Sequence, residues 1–144
     1  MTIRRILAVL VPAALLAGCS RIEFVTGTNF VTGTYSALIF RIQPAGQNEI
    51  NVLAAGGSLS IVIAADGSTT GGLNIPASVT GGEPFVASME GTAEIGGLTV
   101  QFDQPADTFV RDLTWSRVQS TLVVEDQTVG GATFTITLAR LRVD

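Results

Sequence analysis

The chain contains no histidine, and all eight of its Lys+Arg positions are arginine. These two absences remove much chemistry before any fold is considered. Schiff-base catalysis needs lysine, while Ser-His-Asp and Cys-His nucleophile systems and His-ligated metals all need imidazole. Cys19 is the single cysteine, so no intramolecular disulfide can form and stability must come from packing and sheet hydrogen bonds. One Trp and one Tyr leave a sugar-stacking platform poorly supplied. Charge is sparse too, at 14% of residues, and without Arg4 and Arg5 the balance is 6 arginines against 12 carboxylates. That balance carries no basic footprint, so no nucleic-acid partner is expected.

What is present begins with an export signal. Arg4 and Arg5 form a short basic region, Ile6 to Ala17 is an apolar run broken only by Pro12, and small residues follow. Twelve helical residues cover only ~18 Å, short of a ~30 Å hydrocarbon core, so a permanent spanning helix is not expected. Leu16-Ala17-Gly18-Cys19 closely resembles the lipobox of bacterial lipoproteins. The resemblance implies cleavage between Gly18 and Cys19, a diacylglycerol on the Cys19 sulfur and often a third acyl chain on the new amine. An ordinary secretory signal with a stray cysteine is the alternative. Two or three long chains, at ~0.8 kcal/mol per buried methylene, hold a protein on a membrane almost irreversibly. Ser20 stands where inner-membrane lipoproteins of this kind commonly carry Asp, which points to the outer membrane, on its periplasmic face. The Arg4-Arg5 pair resembles a twin-arginine signal, but its surroundings fit the general secretory route better.

Residues 19–32 read as a lipidated N-terminus and polar tether, and residues 33–144 as one domain. Phe24-Val25-Thr26-Gly27-Thr28-Asn29 is followed by the near-copy Phe30-Val31-Thr32-Gly33-Thr34-Tyr35, the first a spacer and the second the start of the domain. Glycine pairs and Asp66-Gly67 then punctuate alternating segments, giving strands near 34–43, 48–55, 58–65, 69–75, 85–95, 98–103, 109–118, 121–128 and 132–142. A two-residue turn at Gly96-Gly97 pairs Ile95 with Leu98, Ala93 with Val100 and Gly91 with Phe102, sorting apolar from polar faces. At Asp66-Gly67 a three-residue loop or bulge is expected, aligning Ile61 with Leu73 and Leu59 with Ile75. Such a meander predicts an all-β fold, an antiparallel up-and-down barrel of about eight strands, with a β-sandwich as the alternative.

In outline, Gly33 to Arg142 resembles a small lipocalin-like (calycin-type) barrel. Gly33-Thr34-Tyr35 opens the first strand where lipocalins have Gly-x-Trp, and Arg140 lies in the last strand where they often carry an arginine across that ring. In a straight strand Tyr35 would face away from Leu38, Phe40 and Ile42, so a bulge is required between them. Arg140 shares the alternation of Phe134, Ile136 and Leu138, which makes Tyr35, Trp115 and Arg140 the candidates for closing the barrel; a solvated strand end is the alternative for Arg140. The resemblance implies a cavity for apolar small molecules, although small barrels are also filled by their own side chains.

Carboxylates are the catalytic groups in supply. Glu90 and Glu94 lie four residues apart on one strand face, ~13 Å, beyond the ~5 to 9.5 Å that a glycosidase-like pair needs. The Gly96-Gly97 register sets Glu90 opposite Asp103, where a Ca²⁺ site, with Asp107, is weighed against a solvated strand end. Asp112 and Glu125-Asp126 read as surface charge, and Thr133, Thr135 and Thr137 as an outward ladder. No cofactor and no catalytic residue is expected. The expectation is a non-enzymatic, lipid-anchored barrel that binds an apolar small molecule or lipid. The alternative is a structural or adaptor lipoprotein with a filled interior, meeting an envelope protein through its outer surface.

Overall fold

The computed structural model describes residues 31–104 and 108–142. Ten strands follow in chain order: β1 (Gly33–Pro44), β2 (Ile50–Asn51), β3 (Ser58–Ile63), β4 (Ser68–Ile75), β5 (Phe85–Ser88), β6 (Gly91–Gly96), β7 (Thr99–Asp103), β8 (Trp115–Val118), β9 (Thr121–Val129) and β10 (Ala132–Arg140). Two helical turns interrupt them, α1 (Ala77–Thr80) and α2 (Phe109–Asp112). The sheet runs β10-β9-β8-β7-β6-β4-β3-β1, and β1 then pairs with β10, which closes an eight-stranded antiparallel barrel. The two short strands are additions, β2 on β1 and β5 on β4. The up-and-down barrel is therefore the fold, and the sandwich is not. Closure leaves the eight wall strands no long unpaired edge.

Alternation along the wall strands explains which side each face meets. In β10, Phe134, Ile136 and Leu138 are buried while Thr133, Thr135 and Thr137 point outward, as the Thr ladder requires. Hydroxyls there bond along the outer face, Thr128 with Thr133 at 3.0 Å and Thr135 to Asp126 at 2.9 Å. Apolar inside and polar outside is the reverse of a barrel embedded in lipid.

The antiparallel meander gives the barrel two ends. At the lower end, tight connections at 64–67, 97–98 and 119–120 join the strands, and β1 begins beside the end of β10. Longer connections at 45–57, 76–84 and 104–114 gather at the upper end with the turn at Gly130-Gly131.

Several expected boundaries move. The segment expected as a strand over 48–55 forms only the two-residue β2 before turning. The segment 85–95 is divided into β5 and β6, yet β4 meets both in one register, Leu73 with Ala87 and Thr69 with Gly91. The expected strand 109–118 is half wrong: Phe109–Asp112 is a helical turn, and only Trp115–Val118 joins the wall. Phe109, Val110 and Leu113 follow a helical rather than alternating spacing, which buries them together on one side.

The two hairpin registers are also corrected. The β3–β4 loop has the expected three residues, Ala65 to Gly67, with the Ala64 N–H donating to the Ser68 carbonyl at 2.9 Å. Its register nevertheless sets Leu59 opposite Leu73 and Ile61 opposite Gly71. In β6–β7 the turn is Gly97-Leu98, so Ile95 meets Val100 and Ala93 meets Phe102. This differs from the expected pairing by two residues, which preserves every face because the side-chain period is two. Gly97, at φ +69°, takes the turn position that a side-chain-bearing residue resists, and this selects one of the two equally well-sorted registers.

Candidate functional site

The lower end holds two of the three closing candidates. Tyr35 and Arg140 are direct partners across the β1–β10 seam, and Tyr35 is buried. The bulge required in β1 is present: the register slips between Ala37 and Ile39, so that Tyr35 and Phe40 both face inward. Leu38 falls at the slip and is 66% exposed, instead of facing inward with Phe40 and Ile42. The Arg140 side chain lies over Gly33, where a Cβ would stand 2.6 Å from Nε. Glycine at the start of β1 thus makes room for the arginine stem, and Arg140 itself is exposed rather than drawn into the core. Burial raises the Tyr35 hydroxyl above its ordinary pKa, and the charges of Arg140 and Arg117 pull it partly back. Arg117 is a lower-end residue that sequence reasoning missed, although it shares the alternation of Trp115. Val31 falls within the 19–32 tether boundary but belongs to the repeat copy read as the start of the domain, and it is fully buried in the core.

Trp115 belongs elsewhere. It starts β8, toward the upper end, and packs edge-on against Phe102 at 5.7 Å between ring centroids. Its indole N–H faces the Val110 carbonyl at 3.4 Å, so Trp115 closes the barrel by supporting α2 and not by meeting Arg140.

Around α2 the wall has a gap that the chain itself fills. Because β8 is only four residues long, the upper parts of β7 and β9 have no strand between them. The Gln101 amide donates to the carbonyls of Arg111 and Leu113, and the Gln127 amide grips the backbone of Thr114 at both its N–H and its carbonyl. Phe109 reaches across the mouth, stacked on Phe134 at 4.3 Å and tilted against Phe40 at 6.1 Å. Beneath it a buried polar group is internally satisfied: Thr108 donates to Gln104, Gln104 faces the Met89 sulfur, and Thr69 donates to the Met89 carbonyl.

The interior is consequently occupied. Tyr35, Phe40, Phe102, Trp115, Leu59, Ile61, Leu122 and Ile136, from six of the wall strands, are each no more than 2% exposed. A ligand-sized void would leave accessible surface on such side chains. Two clefts lie elsewhere: one of about 320 Å³ at Gly91, Thr92, Asp103 and Gln104, and one of about 280 Å³ along Ser116, Val118, Val123, Glu125 and Gln127.

The carboxylate pairing expected from sequence is not formed. Asp103 stands opposite Thr92, and Glu90 lies beyond the ladder. Gly91 passes so close to Asp103 that a Cβ there would sit 2.0 Å from the Asp103 carbonyl oxygen. The shift of two residues that repositions the hairpin turn is what separates Glu90 from Asp103. Asp107 lies outside the described residues, as do Gly18 and Cys19. Among the described residues no group of three or more Asp, Glu, His or Cys side chains is placed to hold a metal ion, and no helix is long and apolar enough to cross a membrane. Compared with family models, curated proteins and solved structures, the chain matches none, so the likeness to a lipocalin-type barrel rests on architecture alone.

Proposed function

We propose that this chain is an outer-membrane lipoprotein, anchored through acyl chains on Cys19, whose barrel is a non-enzymatic structural or adaptor module working through its outer surface. The filled interior carries the choice between the two functional expectations. Its inward side chains are closed to solvent, and Phe109 seals the mouth through which an apolar ligand would enter. The anchor reading rests on Leu16-Ala17-Gly18-Cys19 at the end of a well-formed signal. A polar outer wall supports a domain held beside the membrane and bathed in water.

Native mass spectrometry of the purified, acylated protein tests the choice. The expected mass is that of the lipidated polypeptide alone. A co-purifying lipid or small molecule that leaves on activation would overturn the adaptor reading in favour of ligand binding. Radiolabelled palmitate tests the anchor: incorporation that disappears in Cys19→Ser is expected, and incorporation unaffected by that change would sink it.

A further inference from the structure

The lower rim of the barrel carries several exposed apolar side chains. Leu98 is 67% exposed, Val118 54%, Leu141 51% and Val62 36%. These residues are stitched together through the backbone. The Arg117 N–H donates to the Leu98 carbonyl at 2.7 Å, Arg140 to Ser120 at 3.0 Å and Leu141 to Thr34 at 2.7 Å, and Thr34 pairs with Val62. Arg140 and Arg142 are exposed on the same rim, with Arg117 half-buried behind it. Asp66 stands at its margin and Glu94 on the wall nearby, whereas Glu49, Glu83 and Asp112 lie in the connections of the upper end. The arginines of the upper end, Arg41 and Arg111, each stand beside a carboxylate, whereas Arg140 and Arg142 stand exposed among apolar side chains at the lower rim.

We propose that this lower rim docks on the bilayer surface, with Leu98, Val118 and Leu141 entering the headgroup region and Arg140 and Arg142 meeting anionic lipid phosphates. The inference rests on the lipoprotein reading, and chain connectivity selects the membrane as occupant. Val31 and Gly33 enter the domain at the lower end, and only eleven residues lie between Cys19 and Val31, so the two are at most ~40 Å apart along the extended chain. An anchor at Cys19 therefore holds this end toward the lipid at high effective concentration. Exposed leucines beside arginines are the side chains that partition into an anionic interface.

The test uses the acylated mature protein in phosphatidylcholine vesicles containing phosphatidylglycerol, with and without brominated acyl chains. Acylation blocks Cys19, so a cysteine introduced as Leu98→Cys or Leu141→Cys takes a fluorophore alone, and Gly46→Cys and Gly130→Cys report the upper end. Quenching by bromine is expected at 98 and 141 and not at 46 or 130. Arg142→Gln should weaken docking roughly fivefold at low salt. Equal access of aqueous iodide to both ends on acylated protein would overturn the docking while leaving the anchor intact. Protection of 98 and 141 from iodide without bromine quenching would also overturn it, because protein rather than lipid would then cover the rim. A mature N-terminal peptide lacking diacylglycerol would remove the anchor and the docking together.

Discussion

The upper end of the barrel is closed by a stretch of backbone, whereas the lower end is closed by side chains reaching across strand termini. At the top, β8 stops after four residues and the chain from Thr108 to Thr114 turns into the mouth, carrying Phe109 onto Phe134 and Phe40. At the bottom, Tyr35 faces Arg140 across the seam, Gly33 makes room for the arginine stem and Val31 is buried beside the first strand. The top depends on apolar contact made by one inserted segment. Charge, hydroxyl and close backbone approach matter more at the bottom. Perturbations of the two ends should therefore fail in different ways.

The largest effect is expected at the top. Phe109→Ala removes both ring contacts and should cost about 2 to 3 kcal/mol, below the range for a fully buried phenylalanine because this ring is partly exposed. Urea denaturation measures the loss, and uptake of an apolar dye by the folded variant would show that the mouth has opened. If stability falls with no dye uptake, the segment is packing and not a plug. At the bottom, Gly33→Ala should cost about 1 kcal/mol, since φ is +145° and Arg140 must move, though its flexible end can give way. An unchanged urea midpoint would show that the arginine stem is not held there.

The smallest effect is a pH dependence. Folding raises the Tyr35 pKa, chiefly by burial, so the folded state holds the phenol proton more tightly than the unfolded chain. Its contribution to stability is fully present below the unfolded value of about 10 and is lost as pH rises through the folded value. The protein has one tyrosine, so the tyrosinate absorbance band reports this residue alone. Its midpoint should lie above that of the urea-unfolded chain, and Tyr35→Phe should flatten the alkaline decline in Tm. Arg140→Gln should raise the midpoint further by removing a charge that favours the phenolate. A midpoint equal to the unfolded one would place Tyr35 in water and dissolve the contrast between the ends.

Much of the wall was legible because inward and outward faces follow from a two-residue period. Phe134, Ile136 and Leu138 were placed inside and their threonine neighbours outside from spacing, whereas Tyr35 was placed inside by the likeness to a lipocalin-type first strand, which spacing allowed only with a bulge. Period alone cannot separate registers that differ by two. The Gly97-Leu98 turn, and with it the parting of Glu90 from Asp103, depended on which glycine takes positive φ. The helical turn at Phe109–Asp112 was not legible where a strand was expected, and with it went the contact of the Trp115 indole with the Val110 carbonyl.

Residue order by itself determined the class of fold, the inward and outward faces, the exclusion of imidazole and lysine chemistry, and the expectation of an anchor at Cys19. These depend on composition and local spacing, which each segment carries alone. Only the tertiary structure decided that the interior is filled, that Arg140 stands opposite Tyr35 across the seam, and that Leu98, Val118 and Leu141 share one rim. Those are contacts between residues far apart in the chain, set by how eight strands meet when the sheet closes on itself.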